Sequence, residues 1–455
     1  MEMILEFLRD VLSQPALLIG IMSCVGLIAL KRPFHKIMTG TLKPILGYLM
    51  LAAGAGVIVS NLDPLGKMIE HGFHITGVVP NNEAIVAVAQ KVLGVETMSI
   101  LVVGLLMNLL IARFTKFKYV FLTGHHSLFM ACLMSAVLGT AGLSGIELIL
   151  VGGFLMGAWS AISPAIGQSY TSKVTDGDEI ALGHFGSLGY YLSAWVAKYV
   201  GKAEESTEDI EIPEKWGFLR DSTLSTALTM IVFYLIAAIA AGSEFVATLS
   251  GSMSPYLFAV ISAMNFAVGV AIVYSGVRMI LGDLIPAFQG IATKIIPNAI
   301  PAVDCAVFFT YAPTAVVLGF ISSFIGGIIG MLILGAVGGV LIIPGLVPHF
   351  FCGATAGIYG NATGGRRGAA VGAFLNGLAI TFLPALALPV LGQLGFQNTT
   401  FGDADFAVMG LVLGNAFEWI DMAGIYGVVV IAALVLLIPN FIKTKGKVIN
   451  YVEEE

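Results

Sequence analysis

Eleven stretches of this chain stay apolar for long enough to cross a lipid bilayer. They lie at about 14–30, 41–60, 97–112, 119–140, 145–165, 223–246, 255–277, 307–325, 326–343, 368–391 and 408–440. A crossing helix needs about 20 apolar residues, and in hydrocarbon only helices and closed barrels satisfy their own backbone hydrogen bonds. Composition agrees, with 11% of the 455 residues charged against roughly 25% in soluble domains. The expected fold class is an all-α polytopic membrane protein with about 11 transmembrane helices. The last stretch is overlong, and Glu418 and Asp421 interrupt it.

Basic residues set the expected orientation. Clusters occur at Lys31, Arg32, Lys36 and Lys43, at Arg113, Lys116 and Lys118, and at Lys173, Lys198, Lys202, Lys215 and Arg220. Arg278, Arg366, Arg367, Lys443, Lys445 and Lys447 complete the set. Eleven crossings put every cluster on one side, which the positive-inside rule makes cytoplasmic. The amino terminus is then external, the carboxyl terminus cytoplasmic, and the location an inner membrane. Residues 1–13 carry Glu2, Glu6, Arg9 and Asp10 without a basic leader, so the first apolar stretch is expected as a retained span. The net charge of -6 offers no basic face for nucleic acid. Cys24, Cys132, Cys305 and Cys352 have no metal-ligand spacing and are expected as packing residues.

Three segments are too rich in proline and glycine to read as plain crossings: 62–92, 281–304 and 344–362. They are expected as re-entrant hairpins, because irregular backbone at membrane depth must be buried in protein or line a cavity. A faint internal repeat runs through them. Asn61-Leu62-Asp63-Pro64 parallels Asp283-Leu284-Ile285-Pro286, 222 positions on. Pro80-Asn81-Asn82-Glu83 parallels Pro301-Ala302-Val303-Asp304, and Thr123-Gly124 parallels Pro344-Gly345, both 221 positions on. Five crossings separate the copies, so they run in opposite senses. That is the inverted-repeat plan of alternating-access transporters, whose sites lie near the midplane at the repeat interface. The expected organisation is one transport domain over 1–455, with a first repeat at 14–165, a cytoplasmic or amphipathic linker at 166–222 and a second repeat at 223–455. Within the linker, the acidic run Glu204-Glu205-Ser206-Thr207-Glu208-Asp209 reads as a solvated surface.

The repeat gives Glu83 and Asp304 equivalent places, three residues after a hairpin proline. A carboxylate at a span centre costs roughly 2.5–3.5 kcal/mol on insertion scales, so both are candidates for a solute site and for a general base. His125, His126 and His184 join them as hydrogen-bonding groups. Their spacing has no metal-binding pattern, so no metal is expected. His349, beside Phe350 and Phe351, reads as packing. Phosphate-loop, nucleophile-elbow and dinucleotide patterns do not occur in a supporting context, so an external source must drive transport.

Several motifs together resemble one family, the IIC membrane component of the ascorbate branch of the bacterial phosphoenolpyruvate-dependent sugar phosphotransferase system. They are Thr123-Gly124-His125, Val174-Thr175-Asp176-Gly177 followed by Gly183-His184, Val303-Asp304-Cys305-Ala306 with Ala312-Pro313, Gly201-Lys202-Ala203-Glu204-Glu205-Ser206, and Ile342-Ile343-Pro344-Gly345. The resemblance covers essentially the whole chain. It implies a homodimer in the lipid bilayer, each protomer with a dimerising scaffold and a mobile core that carries substrate in an elevator mechanism. It also implies separate IIA and IIB proteins, with no IIA or IIB domain in this chain. No cofactor is bound; the phosphoryl group comes from phosphoenolpyruvate through IIA and IIB, so the chain is a transport subunit rather than an enzyme.

His125, His184 and Asp304 match the family's substrate-contacting residues. Asn82, Glu83, His126, Ser127, Phe129 and Phe185 occupy site positions but differ from the family in residue type. Asn82-Glu83 replaces a Thr-Tyr pair, and Phe129 and Phe185 replace two glutamines. The expected substrate is L-ascorbate or a related small sugar or polyol, whose C–H face Phe129 or Phe185 would stack. The competing expectation is an ion-coupled secondary transporter of a small polar solute using Glu83 and Asp304. A membrane-embedded enzyme using the histidines is a third class, which the spacing does not favour.

Overall fold

The structure, a computed structural model, describes residues 11, 14–74, 77–80, 82–177, 180–210, 222–392 and 399–441. The basic positions Lys215, Arg220, Lys443, Lys445 and Lys447 and the acidic leader lie outside the described residues, as does the Glu83 side chain.

Two bundles make up the molecule. The first contains α1 (Pro15–Ala29), α2 (Phe34–Phe73), α7 (Ser222–Ala241), α8 (Ser243–Ser250) and α9 (Pro255–Lys294). The second contains α3 (Asn82–Phe114), α4 (Gly124–Thr140), α5 (Gly145–Val174), α6 (Ser187–Val200), α10 (Pro313–Ala336), α11 (Leu346–Gly392), α12 (Ala404–Ile420) and α13 (Met422–Phe441). By length and composition, seven helices among the described residues can cross a membrane, or up to eight if the bent pair α7–α8 forms one span. Gly242 (φ 82°) breaks that pair by 117°.

Several sequence expectations change here. Stretches 307–325 and 326–343 are not two crossings: a 3-10 turn (Cys305–Thr310) leads into the single helix α10. The Gly326-Gly327 pair inside α10 is a contact surface. A Cβ on Gly326 would stand 2.2 Å from the Phe374 carbonyl oxygen, so its absence lets α11 approach backbone to backbone. Residues 346–362 are not a hairpin but the first limb of α11, which breaks at Gly364 and Gly365 (φ 59°). Pro64 and Pro286 are absorbed inside α2 and α9. The 408–440 stretch does divide where its charges predicted, with Asp421 (φ 57°) ending α12.

The acidic run at 204–209 is more than a solvated surface. Glu208 accepts hydrogen bonds at its carboxylate from Thr314 N (3.0 Å), Ala315 N (3.2 Å) and Thr314 Oγ1 (2.8 Å), which caps the first turn of α10. The Glu205 carbonyl accepts from Arg366 N (2.8 Å) and Asn361 Oδ1 accepts from Thr207 N (2.8 Å). Unpaired amides at a helix start and at a helix break supply the reason: each needs an acceptor, and the loop provides them.

Short parallel strands interrupt the helical connections. In the first sheet β4 (Ile300–Val303) lies between β2 (Tyr119–Phe121) and β3 (Ala181–Leu182), with Tyr119 opposite Ile300 and Leu182 opposite Val303. Gly183 follows β3 because any Cβ there would stand 2.4 Å from the Ala302 carbonyl oxygen. In the second, β1 (Val79–Pro80) pairs with β5 (Thr399–Thr400), and Val78 bridges to Ile342.

Candidate functional site

Parallel strands end on the same side, and β2, β4 and β3 therefore deliver three chain turns to one place. β2 runs into Gly124-His125-His126 at the start of α4, β4 into Asp304, and β3 into Gly183-His184. His125 Nε2 stands 3.4 Å from Asp304 Oδ2, and the rings of His126 and His184 are 3.8 Å apart. The sequence placed His125, His184 and Asp304 as the core of a site, and these residues are indeed neighbours. The His125 side chain is 38% exposed, whereas Asp304 is 8% exposed.

Two of the imidazoles have their tautomers set by main-chain donors. Phe185 N donates to His126 Nδ1 (3.3 Å), and Gly186 N donates to His184 Nδ1 (3.1 Å). A ring nitrogen that accepts an N–H carries no proton, so each neutral ring holds its hydrogen on Nε2. The Tyr190 hydroxyl lies 2.9 Å from His184 Nδ1 on the same side. Asp304 accepts Ala306 N at Oδ1 (3.1 Å), which orients its carboxylate. The centre thus offers N–H donors beside a carboxylate acceptor, the combination that recognises adjoining hydroxyl and carbonyl or ether oxygens.

The aromatic positions enclose this centre. Phe185 is fully buried and stacks on Phe121 (4.6 Å, 16°), while Phe129 meets His125 edge-on at 5.8 Å. Phe406 stacks with His126 at 5.7 Å. The Ser127 hydroxyl turns back to the Thr123 carbonyl (3.3 Å) and is buried. His349 packs as expected, buried with Nδ1 2.9 Å from the Ser323 hydroxyl.

Two carboxylates that the sequence reading missed support the turn that carries His184. Asp403 Oδ1 lies 3.8 Å from His184 Nδ1 and accepts the Cys352 thiol (3.0 Å), while its Oδ2 accepts Asn82 Nδ2 (2.6 Å). Asn82 returns a bond at Oδ1 from Gly402 N (2.9 Å), so the α3 start and the α12 start are stitched together. Asp405 is fully buried and accepts three donors: Leu188 N (2.9 Å), Ser187 Oγ (2.7 Å) and Trp159 Nε1 (3.2 Å). Its own N–H donates to the Phe185 carbonyl (2.9 Å). The signal was present as Asp403-Ala404-Asp405, two charges within an apolar neighbourhood.

His126, His184 and Asp403 place ligand-type atoms within 4.8 Å of one another, as do His184, Asp304 and Cys305. In the first group both Nδ1 atoms and both carboxylate oxygens already accept protein hydrogen bonds, so a metal bound through any of these atoms would have to compete with those bonds.

Long apolar helices in two bundles around a buried polar centre define a multi-pass membrane protein. The family model described as EIIC-GAT, the PTS system sugar-specific permease component, matches residues 10–405, and the chain belongs to that family. An ascorbate-specific PTS system EIIC component of Mycoplasma pneumoniae is 26% identical over 417 residues, covering 78% of this chain. The match spans 62% of that relative's own length.

Proposed function

We propose that the chain is the substrate-translocating permease subunit of a sugar phosphotransferase system. Its substrate is L-ascorbate or a related small sugar or polyol, phosphorylated on arrival by a separate IIB protein that is recharged through IIA. The observation that carries this reading is the delivery of His125, His184 and Asp304 to one buried centre by three parallel strands. Asp304 is the group suited to accept a substrate hydroxyl proton, and Nε2–H donors on His126 and His184 suit acceptor oxygens. Once phosphorylated, the solute carries added charge that an apolar path rejects, so the product stays inside. The ascorbate assignment draws on the relative's described specificity and on the motif residues shared with that branch.

An inverted repeat with a movable second bundle fits the same reading. Tyr119 opposite Ile300 has a counterpart in Ile342 opposite Val78, about 222 positions apart in each case. The α2–α9 crossing repeats the relation: Gly47 meets Gly276 and Gly54 meets Gly269, and the members of each equivalent pair are 222 positions apart. The first bundle then acts as the dimerising scaffold and the second as the transported core. An external amino terminus and a homodimer complete the proposal.

The test is equilibrium binding of radiolabelled ascorbate, pentitols and pentoses to purified protein, with His184→Ala as control. Saturable binding of one of these, lost in H184A, is expected. Binding that survives H184A unchanged would place the site elsewhere.

A further inference from the structure

Both ring nitrogens of His125 have partners, and one of the two comes from the first bundle. Nε2 faces Asp304 Oδ2 at 3.4 Å, and Nδ1 lies 3.2 Å from the Tyr48 hydroxyl. An ionised carboxylate only accepts, so the hydrogen on a neutral His125 ring belongs on Nε2. Nδ1 is then the acceptor and Tyr48 the donor. Tyr48 sits inside α2 in the first bundle, 6% exposed, whereas His125 opens α4 in the second. Neither local sequence nor the strand ends explain the bond. It exists because the two bundles meet here.

We propose that Tyr48 is a positioning residue for the solute site, which together with Asp304 holds His125 in the Nε2–H tautomer and so keeps the Asp304 carboxylate aligned toward the solute. The hydroxyl–imidazole–carboxylate chain runs from Tyr48 through His125 to Asp304, whose other oxygen is fixed by Ala306 N at 3.1 Å. Without Tyr48 only Asp304 favours Nε2–H, Nδ1 loses its donor, and the share of rings with the proton on Nδ1 rises. Nε2 then turns a lone pair toward Asp304, a repulsive contact that disorders the acceptor. The reach of the inference depends on the functional reading in one respect: if the second bundle moves against the first, the bond exists in only one position. His125 is then fixed there and released elsewhere.

The experiment is a double-mutant cycle with a spectroscopic arm. Glutamine places its amide N–H₂ near the His Nε2 position and has nothing for Tyr48 to donate to at Nδ1. Solute binding should fall roughly three- to tenfold in Tyr48→Phe, the scale of one lost hydrogen bond. In His125→Gln, adding Y48F should change nothing further. An equal Y48F penalty in both backgrounds would mean that Tyr48 acts through packing, and would overturn the proposal. The second arm needs no ligand: ¹⁵N spectra of histidine-labelled protein, with the His125 signals assigned by their loss in H125Q. The neutral Nε2–H pattern is expected in the parent protein and a shift toward Nδ1–H in Y48F. An unchanged pattern in Y48F refutes the tautomer role. If no tested solute binds the parent protein, the substrate reading fails while this arm still decides the proposal.

Discussion

Replacing Asp405 by Asn probes how rigidly the His184 turn must be held. The carboxylate is fully buried and accepts Leu188 N, Ser187 Oγ and Trp159 Nε1. Hydrogen bonds to a charged group contribute about 1.5–3 kcal/mol each, neutral ones about 1 kcal/mol. An amide keeps the shape but supplies one oxygen, and its N–H₂ must face at least one of the existing donors. Asp405→Asn therefore weakens the bonds that remain and leaves at least one buried donor unpaired, a loss of about 1–3 kcal/mol for that donor alone. Adding about 0.5–2 kcal/mol for each of the two weakened bonds gives about 2–7 kcal/mol in total, which should lower the thermal midpoint of the detergent-solubilised protein by several degrees and weaken solute binding. Trp159→Phe removes only the 3.2 Å bond and should cost about a third to a half as much. Because the donors share one acceptor, the double variant should fall short of the sum of the two single losses. A D405N protein with parental stability and parental solute affinity would refute the idea that this carboxylate braces the turn.

Three further outcomes follow from the geometry. Gly276→Ala puts a methyl group 2.6 Å from the Gly47 carbonyl oxygen and the Leu51 nitrogen; overpacking of that kind costs about 1–3 kcal/mol and should lower the thermal midpoint, whereas Gly282→Ala, which meets nothing within 4 Å, should leave it unchanged. Glu208→Ala uncaps α10 and should cost about 0.5–2 kcal/mol, read as faster hydrogen exchange at Thr314 and Ala315. Asp304→Asn removes the charged acceptor and should weaken solute binding about tenfold or more while leaving the protein folded, as the loss of one charge-assisted hydrogen bond implies.

How far the sequence was legible follows from which forces act locally. Apolar length identified the membrane helices, because bilayer thickness imposes it residue by residue. It misread boundaries wherever tertiary contact overrides local composition. The stretches 307–325 and 326–343 looked like two crossings but feed the single helix α10, and Pro64 and Pro286 looked like breaks but sit within α2 and α9. Proline and glycine marked the segments that hold the short strands, because irregular backbone favours those residues. His125, His184 and Asp304 were accessible because each lies in a short local motif next to such a segment. Tyr48, Asp403 and Asp405 were not, because each acts on a residue far away in sequence, and only the fold brings those partners together. Glu208 was legible as a charge but not as a cap, for its partners begin a helix 106 positions later.

The central claim is that uptake through the His125–His184–Asp304 centre is driven by phosphorylation from a separate IIB protein. Vesicles containing the purified chain, loaded with phosphoenolpyruvate and the soluble phosphotransferase proteins through IIB, test it with labelled ascorbate outside. Labelled solute should accumulate inside as a phosphate ester, with accumulation abolished by omitting IIB and strongly reduced in Asp304→Asn. Accumulation of unmodified solute under a proton or sodium gradient, with no IIB present, would contradict it and favour an ion-coupled carrier.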